Sequence, residues 1–200
     1  MIGIINFGMG NLRSVQKAFE RIRINASIIS NPADISHSDK LVLPGVGHFE
    51  QGMLNLKSSG FDKALQEAVL VKNTPILGIC LGMQLLTRFS EEGNVNGLGF
   101  IKGEVKRFPQ GKLKIPHMGW NSLNLLKDSA LFPFLEPEEM VYFVHSYYVA
   151  CHEISDVLYQ TNYGMNFDSA FEHENIIGFQ FHPEKSHKTG LRLLERFSKI

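Results

Sequence analysis

TPILGICLGMQ, residues 74–84, sets a short apolar run against one cysteine, Cys80, framed by Gly78 and Gly82. The run through Ile79 is too short for a helix and lacks the polar alternation of a half-exposed strand. It reads as a strand buried on both faces. Beyond it the spacing predicts a helix over 82–89, so Cys80 falls at a strand-to-helix junction.

The same rhythm extends upstream. MIGIINFG is a β-branched run closed by glycine, and Leu12, Val15, Phe19 and Ile22 recur at helical spacing from Asn11 to Arg23. ASIIS and DKLVLPG read as two more strands, followed by a helix over 61–72. Strands alternating with helices, the strands nearly all apolar, indicate a parallel sheet covered on both faces. After Glu92 the pattern changes to strand-like segments punctuated by Gly and Pro: GLGFIKGEVKRF, MVYFVHSYYV, VLYQTNY and IIGFQFHPE. A closing helix is predicted over 189–198, carrying Leu191, Leu194 and Phe197. The expected fold class is α/β: one domain over 1–200, a mostly parallel central sheet with flanking helices, and additional strands in the second half. No low-complexity linker or internal repeat divides it.

The 200 residues, 44% hydrophobic, suffice for one core without disulfide or metal staples. Lys plus Arg and Asp plus Glu number 20 each, so there is no basic field to hold nucleic acid or an anionic membrane. Two cysteines, no signal-like start and no apolar run of membrane-spanning length lead us to expect a cytoplasmic protein.

Cys80 has two readings. A cysteine among Ile79 and Leu81 packs well as a small buried hydrophobe. Gly78-Ile79-Cys80-Leu81-Gly82 is also G-x-C-x-G, the thiol counterpart of the G-x-S-x-G elbow, whose turn lifts the nucleophile out of the sheet and sets it at a helix N-terminus that favours an anion. A nucleophilic thiol needs a base, and the base an orienting carboxylate. In Phe181-His182-Pro183-Glu184, proline biases His182 towards an extended backbone, so His182 and Glu184 project to one side. Pro44-Gly45-Val46-Gly47 follows the apolar strand 41–43. It is either an ordinary loop or, at the carboxyl end of a sheet strand, part of the crevice. In the second case the Val46–Gly47 peptide and the Leu81 N–H could turn towards an oxyanion.

PGVG, GICLGMQ and FHPE, in this order, resemble the triad-type glutamine amidotransferases, which hydrolyse the side-chain amide of glutamine. INFGMGNLRSV, PHMGWN (116–121), YFVHSYY and GFQFHPEKS narrow the resemblance to the glutaminase subunits of imidazole glycerol phosphate synthase, over the whole chain. Asn6-Phe7 stands where that family often has Asp-Tyr. The resemblance implies Cys80 as nucleophile, His182 as general base and acid, and Glu184 as its orienting partner. It also implies glutamine contacts at Gln84, Glu92, Ser146 and Tyr147, oxyanion contacts at Val46, Gly47 and Leu81, and no cofactor or metal. Ammonia would pass to a separate (βα)₈ cyclase subunit, which makes imidazole glycerol phosphate and aminoimidazole carboxamide ribonucleotide in histidine biosynthesis. Gly10, Asn11, Met118, Trp120, Tyr142 and Lys185 are the expected docking residues of that heterodimer, although Trp120 and Tyr142 also suit a core.

Three rivals remain: a paralogous amidotransferase that aminates a surface-polysaccharide sugar, a stand-alone thiol γ-glutamyl hydrolase, and a binding module that keeps only the fold. Gly8-Met9-Gly10-Asn11 does not complete a dinucleotide fingerprint, because Arg13 replaces its third glycine. Neither Cys151-His152 nor His182 with His187 has zinc-ligand spacing. His48 and His117 could approach the crevice, but nothing requires a catalytic role of them.

Overall fold

The computed structural model describes residues 1–109, 111 and 113–200. In chain order the elements are β1 (Ile2–Ile5), α1 (Leu12–Arg21), β2 (Ala26–Ile29), β3 (Lys40–Gly45), α2 (Phe49–Ser59), α3 (Phe61–Gln66), β4 (Ile76–Cys80) and α4 (Leu81–Leu85). There follow β5 (Phe89–Ser90), β6 (Val95–Asn96), β7 (Gly103–Arg107), β8 (His117–Asn121), β9 (Asn124–Leu125), β10 (Val141–His145) and β11 (Tyr147–Cys151). The chain closes with β12 (Val157–Asn162), β13 (Asn166–His173), β14 (Ile176–Phe179) and α5 (His187–Ser198).

The main sheet runs β2-β1-β3-β4-β14-β13-β11-β7-β5-β6, with β12 and β9 branching from β13. Pairing is parallel from β2 through β14 and antiparallel from β14 through β13 and β11 to β7. The expected α/β architecture, with added strands in its second half, is the one observed. Every residue of β1, β4 and β14 is buried, as an apolar strand covered on both faces requires. Two apolar clusters fill the space on the two sides of the sheet. One gathers Phe19, Phe179 and Phe197, the other Phe49, Phe61 and Leu85. β8 and β10 form a separate antiparallel ribbon.

Several predicted boundaries move. The helix expected over 82–89 stops at Leu85, because the carbonyls of its last turn are taken from outside: Leu98 N–H donates to Leu85 O, and the N–H groups of Phe100 and Ile101 to Leu86 O. Thr87 Oγ1 then donates back to Gln84 O at 2.8 Å and turns the chain away. The helix expected over 61–72 is regular only to Gln66 and widens into one π-helical turn, Glu67–Val71. Helix α2 was not anticipated. It buries Phe49, Gly52, Met53 and Leu56. MVYFVHSYYV is not one strand but two, β10 and β11, which part at Ser146 and join different sheets. Among the described residues no helix is long and apolar enough to cross a membrane.

The G-x-C-x-G glycines are fixed by crowding. A Cβ on Gly82 would stand 1.7 Å from Leu43 O, and one on Gly78 2.7 Å from Met83 Cα, both backbone atoms that cannot swing aside. We expect Gly82→Ala to cost about 3 kcal/mol, seen in a thermal melt as a fall in Tm of roughly 6–12 °C. An unchanged melt would show that β3 and α4 are not held this close.

Candidate active site

Cys80 ends β4 with φ 54° and ψ −110°, outside both strand and helix regions and rare for a residue with a side chain. Parallel pairing of β4 with β3 and β14 on either side holds this conformation. The turn carries Sγ off the sheet, where it lies 4.0 Å from Val144 O and 3.9 Å from Gln180 Nε2. The residue is buried except for 7% of its surface.

The strand adjacent to β4 brings the imidazole of His182. β14 ends at Phe179, and three residues later His182 adopts the extended backbone expected before proline, φ −100° and ψ 94°. Pro183 starts a short 3₁₀ turn that swings Glu184 back, and His182 Nδ1 meets Glu184 Oε1 at 2.8 Å with both side chains almost fully buried. The turn is tied to β10: His182 N–H donates to Tyr142 O, Tyr142 N–H donates to Ser186 Oγ, and that hydroxyl donates to His182 O. His182 Nε2 makes no hydrogen bond among the described residues. Burial disfavours charge on this imidazole, but its interactions with Cys80 and Glu184 outweigh burial and raise its pKa to about 10. The sulfur and the carboxylate thus favour a proton on this ring. The protonated ring is poised to hand its proton to a leaving group.

A cleft of about 320 Å³ opens on Cys80. Val46, Gly47, Leu81, Gln84, Glu92, Ser146 and Tyr147 all line it, with Pro116, Val144 and His145. Gln84 is nearly buried. Its side-chain amide nitrogen donates to Tyr147 O at 3.1 Å and to Gln180 Oε1 at 3.0 Å. Both amide hydrogens are thereby used, which leaves Oε1 to accept from a guest. Glu92 Oε2 accepts from Phe49 N–H at 2.8 Å, capping α2. Gly47 touches the turn after β1, since a Cβ there would meet Met9 Cε at 2.7 Å.

Outside the cleft mouth, one face of the β8–β10 ribbon carries Met118 opposite Val144 and Trp120 opposite Tyr142. Trp120 and Tyr142 are not core residues: Trp120 is 44% and Met118 60% exposed, and Tyr142 is half-buried. Lys185 Nζ sits 5.7 Å above the Tyr142 ring. Gly10 lies against the end of β3, where a Cβ would approach Pro44 O at 3.1 Å, and Asn11 caps α1 beside it. His48 is exposed, and His117 lies behind the cleft rather than in it. Among the described residues no three His, Cys, Asp or Glu side chains converge as a metal site would require.

Sequence reasoning missed Gln180 and His145. Gln180 is fully buried between Gln84 and Cys80, and its place next to FHPE in GFQFHPE was the available signal. His145 lines the cleft and donates from Nδ1 to Tyr147 O at 2.7 Å.

The model of the class-I glutamine amidotransferase family matches residues 3–199. The chain is 50% identical over 202 residues to imidazole glycerol phosphate synthase subunit HisH 1 of Campylobacter jejuni subsp. jejuni serotype O:23/36 (strain 81-176), covering all of both chains. It is 48% identical over 200 residues to subunit HisH 2 of Methanococcus maripaludis, covering all of this chain and 99% of that one. Among solved structures, PurLQS from Thermotoga maritima superposes with a TM-score of 0.76 at 17% identity, over 99% of this chain and 97% of that one, a likeness of fold. A family match from the third residue to the penultimate one, around a thiol elbow and a buried imidazole–carboxylate pair, decides the assignment: the chain belongs to the class-I glutamine amidotransferases.

Proposed function

We propose that the chain is the glutaminase subunit of an imidazole glycerol phosphate synthase, hydrolysing glutamine to glutamate and ammonia for histidine biosynthesis. The single observation that carries the chemistry is the strained elbow of Cys80 beside an imidazole held at 2.8 Å by Glu184. Full-length relatives at 48 to 50% identity that bear the synthase name favour this acceptor pathway over a polysaccharide sugar or a stand-alone hydrolase.

In the proposed reaction the Cys80 thiolate adds to the carboxamide carbon of glutamine. The negative charge that develops on the carbonyl oxygen is met by the N–H of Leu81 and by the Val46–Gly47 peptide. His182 gives its proton to the departing nitrogen, the carbon–nitrogen bond breaks, and ammonia leaves a γ-glutamyl thioester. His182, now neutral and steadied by Glu184, takes a proton from water as that water attacks. Glutamate and the thiolate are released and the imidazolium is restored. Gln84 and Glu92 hold the substrate, Glu92 by its α-amino group, and Ser146 and Tyr147 contact it through their own backbone.

Ammonia loses its nucleophilicity once bulk water protonates it, so a second active site must receive it directly. That site belongs to a (βα)₈ cyclase subunit, which also performs the lyase step. The surface of Met118, Trp120, Tyr142, Lys185, Gly10 and Asn11 suits its docking: apolar and aromatic, with a cation at its edge, and continuous through Val144 with the cleft. The cytoplasm fits two reduced cysteines and a biosynthetic role. Glutamine turnover measured for the chain alone, with the cyclase, and with cyclase plus acceptor nucleotide is expected to rise at each step. Equal rates in all three would overturn the partnership.

A further inference from the structure

Two buried histidines take no part in this chemistry, yet His145 lines the cleft and His117 stands directly behind it. His117 and His145 lie opposite each other on the inner face of the β8–β10 ribbon, with His117 Nδ1 and His145 Nε2 3.0 Å apart. The protons can be assigned by elimination. A carbonyl oxygen only accepts, so the 2.7 Å contact to Tyr147 O puts a proton on His145 Nδ1. In a neutral ring Nε2 is then bare and accepts from His117 Nδ1–H. His117 Nε2 in turn faces the side-chain amide of Asn121 at 3.4 Å. That amide also donates to Asn162 O at 3.0 Å. Hydrogen bonds therefore run one way: Asn121 to His117 to His145 to Tyr147.

Adding a proton to either ring would replace an acceptor with a donor and break the sequence. Burial prevents this. Desolvation lowers His117 to about 4. Desolvation likewise lowers His145 to about 3, aided by the nearby His117 and His182 and opposed only by the bond to Tyr147. The His117 ring is clamped between Phe143 and Tyr163, stacked at centroid distances of 4.7 and 4.0 Å.

The bond from His145 to Tyr147 O spans one residue, Ser146, where the chain leaves the ribbon for the main sheet. Tyr147 O accepts from Gln84 Nε2 as well, so both its lone pairs are occupied. The bend that turns Ser146 and Tyr147 towards the cleft is thus fastened from both sides.

We propose that His117 and His145 are positioning residues for glutamine: as one directed pair they lock the Ser146 bend, and with it the wall against which the substrate lies. This rests on the glutaminase reading above. A wall held without reference to the reacting carbon acts on substrate binding more than on chemistry, so KM should move and kcat should not.

The test is steady-state glutaminase kinetics in the presence of cyclase and acceptor. His117→Phe keeps the stacked ring and removes the donor, and His145→Leu removes the bond to Tyr147. His145→Asn places an amide N–H near the position of Nδ1. We expect KM for glutamine to rise about tenfold in His117→Phe and His145→Leu, with kcat within about threefold of wild type and KM largely restored in His145→Asn. An unchanged KM in the first two, a loss confined to kcat, or an Asn variant as impaired as Leu would overturn the proposal. Nitrogen-15 spectra of the imidazoles read the tautomers without substrate. A ring protonated on Nε2 instead of Nδ1 at either position also overturns it. A wild-type enzyme that hydrolyses no glutamine would instead bring down the glutaminase reading, while the spectra still decide whether the directed pair exists.

Discussion

Cys80→Ala is expected to lower glutamine hydrolysis by about 10⁴-fold or more while leaving synthesis from added ammonium salts intact. The thioester has no other place to form. Cys151, the second thiol, is on β11 with its acidity suppressed by burial and by the nearby carboxylates of Asp168 and Asp156. It is poorly suited to serve as a thiolate near neutral pH. A thermal melt of Cys80→Ala close to that of wild type separates chemistry from folding, and the ammonium arm shows only that the cyclase is intact. Removing a sulfur from a site 7% exposed leaves a small cavity, and the main sheet does not depend on it. Residual activity near wild type in Cys80→Ala would show that the elbow is a packing feature, and the reaction derived above would have to be abandoned.

Acid sensitivity is the second large effect expected. His117 and His145 are held neutral by burial, at about 4 and about 3, against 6.5 for a free imidazole. Below pH 6.5 the unfolded chain binds protons that the folded chain refuses. Stability therefore falls as pH falls, until the folded-state values are reached. Each imidazole contributes up to about 1.4 kcal/mol per pH unit, so the pair contributes at most about 2.7 kcal/mol per unit between pH 6 and 4. Among the described residues the groups facing the pair are His182, the Asn121 amide and the Tyr147 carbonyl, with no carboxylate to supply a compensating charge. Urea unfolding at a series of pH values measures the slope. His117→Phe should flatten it by up to about one proton's worth, 1.4 kcal/mol per unit. An equally steep variant would assign the acid sensitivity to carboxylates elsewhere.

The elbow was readable because its constraint is local. Gly78 and Gly82 stand two residues either side of Cys80, where α4 crowds β4 and β3, and that spacing survives in the sequence. His182 and Glu184 were readable for a similar reason, since Pro183 sets the backbone that brings them together. The length of α4 was not readable. Leu85 and Leu86 are capped by amides from 98–101, a contact absent from the helix itself. Helix α2 escaped because Gly52 lies in its buried stripe, where it admits Leu85 and Leu81 at close range and breaks the apolar periodicity. The break at Ser146 is likewise a tertiary effect: VYFVHSYYV alternates well enough for one strand, and only the competition of β8 and β7 for its two halves divides it. His145 follows from that division, because the sheet a residue joins decides which way its side chain points.

Parallel pairing of β4 with β14 joins residues 76–79 to 176–179. The ribosome has therefore made the thiol about a hundred residues before it supplies either the imidazole of His182 or the strand that flanks Cys80 on that side. A nascent chain stalled before residue 176 holds Cys80 but neither His182 nor Glu184. On the proposed mechanism glutamine is thus safe from half-made copies of this subunit, and the capacity to split it waits for residues 176–184.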